Sequence, residues 1–123
     1  MSMFDDYVMR MVKQLTQAVA SIVRKLRGGD LDDAAHELAE AYDVLLEHNR
    51  SFLDMVDSGT LANLLGSSDK VRLLAQLSWL DANLARARGD GAREARLRTR
   101  ANQLLALAAR EDASAHEALA ELE

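Results

Sequence analysis

The chain has no cysteine and no proline, and its only aromatic residues are one tryptophan, two tyrosines and two phenylalanines. Without cysteine there is no disulfide framework, no thiolate metal site and no cysteine nucleophile. This fits a reducing compartment. Without proline nothing interrupts a helix, and alanine and leucine, both strong helix formers, are abundant. No apolar run approaches the roughly 20 residues that span a bilayer. No convincing strand precedes a glycine-rich turn, so a strand-led phosphate loop is excluded. The opening Met1–Asp6 is acidic where a secretion signal is basic. Together these absences lead us to expect a soluble cytoplasmic protein. The net charge of −5 argues against a general nucleic-acid binder. A length of 123 residues suits one domain able to bury a proper core.

What is present is helical patterning punctuated by two similar turns. Arg27-Gly-Gly-Asp-Leu-Asp-Asp-Ala34 and Arg86-Ala-Arg-Gly-Asp-Gly-Ala-Arg-Glu-Ala95 each run from a basic helix end through Gly-Asp into an alanine-rich helix. Glycine supplies the left-handed backbone that closes a helix, and aspartate is a preferred cap for the next. Turns this short force antiparallel hairpins.

The spacing predicts a first helix over about Phe4 to Leu26. Phe4, Val8, Met11, Leu15, Ile22 and Leu26 lie on one face, flanked by Tyr7, Ala18, Val12, Val19 and Val23. That apolar sector spans roughly 160°, against about 100° for an ordinary surface helix, so it touches more than one neighbour. A second helix is expected over about Leu31 to His48, with Leu31, Ala34, Ala35, Leu38, Ala41, Tyr42 and Leu45 inward. Between Asn49 and Ser68 only short apolar pieces fit, one capped by Ser51 and one by Thr60. A fourth helix, about Asp69 to Arg88 with Ser68 as cap, is apolar on two faces: Leu73, Leu77, Leu80 and Leu84, then Val71, Ala75, Trp79 and Ala82. It is either the centre of the fold or shows one face to a partner. A fifth helix, about Ala92 to Arg110, packs back through Leu97, Ala101, Leu104, Leu105 and Ala108. Residues 111–123 form an acidic terminal helix or tail beyond a single domain over 1–110. The expectation is an all-α fold of about five main helices, two hairpins bridged by short helices.

Gly29-Asp-Leu-Asp-Asp-Ala34, followed by Leu38 and Ala41, resembles the second helix of a tetratricopeptide repeat. Gly89-Asp-Gly-Ala-Arg-Glu-Ala95 resembles it with one extra residue, although the two turns lie about 60 residues apart rather than one 34-residue repeat. The stretch Met3-Phe-Asp-Asp-Tyr-Val-Met-Arg10 resembles the opening of an uncharacterised family of short bacterial helical proteins. That likeness, running to about Ala108, implies a fold and a bacterial origin but no chemistry.

Three groups of residues compete for a functional reading. Asp33, His36, Glu37 and Glu40 resemble one arm of a helical metal site, but the Glu-x-x-His pattern of di-iron bundles is not repeated. A solvated acidic face is the plainer reading. Arg93, Arg96 and Arg100 lie along one flank of the last long helix. They can hold a phosphate, an acidic peptide or an RNA backbone, or dock the chain's own acidic tail. No aromatic residue sits among them to stack on bases. Met11, Val71, Ala75, Trp79 and Ala82 belong to the surplus apolar faces and can meet a partner protein. With no reactive constellation and no cofactor implied, the expected function is a non-enzymatic protein-interaction or scaffold module, its partner a second copy or another protein. Anion or RNA binding through the three arginines is the alternative.

Overall fold

The computed structural model describes residues 3–47 and 49–121, with side-chain surroundings for 6–47, 49–114, 117 and 120. The protein is all-α: among the described residues there are six helices and no strand. They are α1 (Met3–Arg27), α2 (Leu31–Leu45), α3 (Phe52–Met55), α4 (Ser58–Leu65), α5 (Ser68–Ala87) and α6 (Gly91–Glu121). No helix among the described residues is long and apolar enough to cross a membrane.

Both hairpin turns close by the same device. Gly29 and Gly89 each sit at φ +79°, and the following aspartate N–H reaches back to a carbonyl of the finished helix. Asp30 donates to Lys25 at 2.9 Å and Asp90 to Ala85 at 2.9 Å. This satisfies carbonyls that the helix end would otherwise leave open. The aspartate side chains then differ. Asp90 Oδ1 accepts from the Arg93 N–H at 3.1 Å and caps α6, whereas the Asp30 carboxylate makes no capping bond to α2.

The first hairpin packs α1 on α2 and the second packs α5 on α6, with α5 also against α1 and α2. Both faces of α5 are therefore buried. Leu74, Leu77, Val71 and Ala82 are sealed from solvent, and α5 is the centre of the fold. Leu15 and Ile22 of α1, Leu38 and Leu45 of α2, and Leu104 and Ala108 of α6 complete the main core. Burying side chains of this size stabilises by about 1.5–3 kcal/mol each.

Four boundaries depart from the sequence expectation. The second helix ends at Leu45, because Glu47 takes φ +52° without a glycine to announce it. His48, its expected end, lies outside the described residues. The α4 cap is Asp57, whose Oδ1 accepts from the Thr60 N–H at 2.7 Å, so the helix starts ahead of Thr60 and is not capped by it. Neither Ser51 nor Ser67, which precedes α5 in place of Ser68, makes a side-chain capping bond. Finally, α6 runs without a break past Arg110 to Glu121.

Candidate functional site

Four helices, α2, α3, α5 and α6, and the connection that carries Arg50 line a cleft of about 850 Å³. Its floor is apolar: Leu38 from α2, Leu53 from α3, Leu84 and Ala85 from α5, and Leu97 from α6. Its walls carry five guanidinium groups, Arg50, Arg88, Arg93, Arg96 and Arg100, against the four carboxylates Asp43, Asp54, Asp81 and Asp90. Arg93, Arg96 and Arg100 come from one flank of α6, three and four residues apart, so a single helix face turns all three toward the opening.

The arginines are not equivalent. Arg88 pairs with Asp32 at 2.9 Å and so ties the two hairpins together at the rim. Arg50 lies 3.7 Å from Asp43. Arg93 reaches Asp81 at 3.2 Å. Arg100 donates to the backbone carbonyl of Leu53, which orients the side chain but leaves its charge without a carboxylate. Arg96 is exposed and makes neither an ion pair nor a hydrogen bond among the described residues. The cleft thus holds two positive charges, on Arg96 and Arg100, that the wall does not neutralise directly.

Below them lies a buried polar pair. The Tyr42 hydroxyl donates to Asp81 Oδ2 at 2.9 Å, and Asp81 is only 6% exposed. Burial pushes the Tyr42 hydroxyl well above the usual tyrosine range, and the adjacent Asp81 charge adds to it. Asp81 therefore accepts from a neutral phenol on one side and a cation on the other, an arrangement that satisfies a carboxylate inside a protein. Sequence reading missed Tyr42, Asp81 and Arg50 as residues of a site. The available signal was Asp81 itself, a carboxylate between Leu80 and Ala82 in a helix apolar on both faces.

The other groups fare differently. Met11, Val71, Ala75 and Ala82 are all buried, at 4% exposure or less, so they do not form a partner face. Their surplus apolar width is used up inside the chain by α5, α2 and α6. Only Trp79, at 42% exposure, reaches solvent, and the Arg98 guanidinium stacks 4.6 Å over its ring. Arg98 also bonds Glu94 and Asn83, which holds it away from the cleft. His36 is solvent-facing and pairs with Glu40 at 2.9 Å, while Glu37 turns the other way to Ser21 and Lys25. Among the described residues no three His, Asp or Glu side chains converge as a metal site would require. Among the described residues the acidic end of α6 does not fold back onto Arg93, Arg96 and Arg100: the helix runs on to Glu121, and Asp112 pairs with Arg72 of α5.

No protein-family model matches the chain, and neither a curated protein nor a solved structure matches it.

Proposed function

We propose that the protein is a non-enzymatic interaction module that seats an acidic segment of a partner protein in the cleft between α2 and α6. The observation that carries this reading is the placement of Arg93, Arg96 and Arg100 on one wall above an apolar floor. Carboxylates of the segment meet Arg96 and Arg100, whose charges have no carboxylate partner. Its apolar side chains rest on Leu38, Leu84 and Leu97. Arginine suits this work because its planar fork presents several donors at once and is weakly hydrated. The wall reads charge and the floor reads apolar bulk, so a free anion uses only half of the site. Among the described residues the only aromatic ring lining the cleft, Tyr42, is buried and bonded to Asp81 and so not open for base stacking, which favours a peptide over RNA.

The test is fluorescence anisotropy of a labelled peptide that mixes glutamate and leucine, compared with its glutamine counterpart. The acidic peptide is expected to bind and to weaken steeply with salt. Arg96→Ala is expected to weaken it by about tenfold, since a charge-assisted hydrogen bond contributes about 1.5–3 kcal/mol. Arg96 is exposed and makes no ion pair or hydrogen bond among the described residues, so the fold is expected to be untouched. Equal binding of both peptides, or indifference to Arg96→Ala, contradicts the reading.

A further inference from the structure

Among the described residues, the side of α6 that faces away from the core is uncovered from Ala92 to Ala113. Ala92, Ala95, Thr99, Asn102, Ala106 and Ala109 recur at alternating spacings of three and four, and every one is exposed. Exposed Ala113 and Ala120 carry the row on. A 3.5-residue repeat is the spacing by which two helices face each other along a shared seam.

Two independent features say what covers this face. Charge is segregated on balance along the helix: Arg93, Arg96, Arg98 and Arg100 stand against Glu94 in its first half, and the exposed Glu111, Asp112 and Glu117 against Arg110 in its second. Large apolar side chains also reach solvent beside the same face. Leu105 is 46% exposed, and Trp79 of α5 is brought level with the Arg98–Leu105 stretch by the antiparallel pairing of α5 with α6. That pairing is fixed by Arg98 bonding Asn83 toward one end and Arg72 bonding Asp112 toward the other.

We propose that a second copy of this chain packs antiparallel along α6. A helix that is basic at one end and acidic at the other is its own complement only when the two run in opposite directions; a parallel pair would set arginine on arginine. In the register that places Ala106 against Ala109 of the second copy, Asn102 meets Ala113 of the second copy. Arg96 then falls beside Glu117 of the second copy, and symmetry makes that contact twice. In antiparallel pairs the residues flanking the seam meet their own counterparts, as this register requires. From Ala92 to Ala120 the shared face is about 43 Å long. Trp79 and Leu105 lie at its margin, where a neighbouring chain removes them from water. Arg96 stands on the rim between this surface and the cleft, so in the dimer Glu117 of the second copy competes there with a peptide carboxylate, while Arg100 stays inside the cleft.

The experiment is solution molar mass by light scattering or sedimentation over a wide concentration range. The native chain is expected to approach twice its 13.6 kDa at high concentration and to dissociate on dilution or added salt. Ala106→Glu is expected to leave the helical signal unchanged, because the position is exposed in the single chain, and to return the mass to that of one chain. Glu117→Arg is expected to weaken association, and the exchange Arg96→Glu with Glu117→Arg to restore it. A native chain that stays monomeric at about 0.5 mM overturns the proposal, since even a small specific interface holds at that concentration. So does a dimer indifferent to Ala106→Glu. A dimer lost with Ala106→Glu but unmoved by Glu117→Arg overturns the antiparallel register. Peptide binding in the cleft is expected to survive Ala106→Glu, which separates this proposal from the function proposed above.

Discussion

Tyr42 and Asp81, 39 positions apart in sequence, meet through a 2.9 Å hydrogen bond that fastens α2 to α5 at the base of the cleft. The second hairpin joins the bond through Arg93, which reaches the same Asp81 oxygen at 3.2 Å. One carboxylate therefore holds three helices in register, and its loss has consequences on each of them.

Asp81→Ala strands a buried phenol and frees a cation. The expected loss is about 1–3 kcal/mol, the range for leaving a buried donor unsatisfied. Tyr42→Phe is expected to cost less, because Arg93 still faces the carboxylate. Chemical denaturation of both variants measures the difference. The pair also gives the protein an alkaline limit. The Tyr42 hydroxyl is raised above its ordinary 10.0 by burial and by Asp81. A raised group stabilises the fold fully below its unfolded value, and that contribution fades as pH climbs from there toward the folded value. Thermal unfolding above pH 10 should therefore fall more steeply for the native chain than for Tyr42→Phe.

The acid side is governed by a different contact. Burial alone would raise the Glu37 carboxyl, but hydrogen bonds from Lys25 and Ser21 outweigh it and hold the group below its ordinary 4.5. A depressed carboxylate contributes stability above its unfolded value and loses it as pH falls through the folded one. Between pH 7 and the region below 4.5 the native chain is expected to lose melting temperature. Glu37→Gln should flatten that slope while lowering the melting temperature at neutral pH.

The two glycines beside Asp90 are expected to behave in opposite ways. Gly89 sits at φ +79°, a conformation that costs an L-residue roughly 1–2 kcal/mol, so Gly89→Ala destabilises by about that amount. Gly91 opens α6 with nothing near its Cβ position, so Gly91→Ala stabilises by about 0.4–1 kcal/mol through the unfolded chain. Denaturation midpoints of the two variants check both signs.

In the core, Leu77→Ala is expected to cost about 2–5 kcal/mol, because the side chain is fully buried on the central helix and its removal leaves a cavity. Equilibrium unfolding in urea reads this directly. A smaller loss would mean that α5 is less enclosed than its two buried faces indicate.

Much of this architecture is legible in the residue order. Gly-Asp at both turns marks the hairpins because the left-handed residue and the following N–H are local requirements. The two apolar stripes of α5 admit its central place as one of two readings, the other being a face turned to a partner. The chain is less readable where distant residues decide. A wide apolar sector looks the same whether its neighbours belong to the chain or to a partner, which is why Met11, Val71, Ala75 and Ala82 are core rather than interface. The end of α2 is hidden because Glu47 adopts a glycine-like conformation. Arg93, Arg96 and Arg100 share a flank by helical spacing alone, but the cleft they face exists only once α2 and α3 arrive opposite them. Asp81 is polar in a helix whose periodicity calls for an apolar residue, and only the fold supplies Tyr42 and Arg93 to explain it.

The most direct test of the cleft is a map of backbone amide shifts on an isotope-labelled chain titrated with a glutamate- and leucine-containing peptide. Binding in the cleft requires the shifts to gather on three stretches far apart in sequence, around Leu38–Asp43, Arg50–Asp54 and Leu84–Arg100, and to vanish for the glutamine peptide. Shifts confined to other surfaces, or a chain that ignores the acidic peptide, would contradict it.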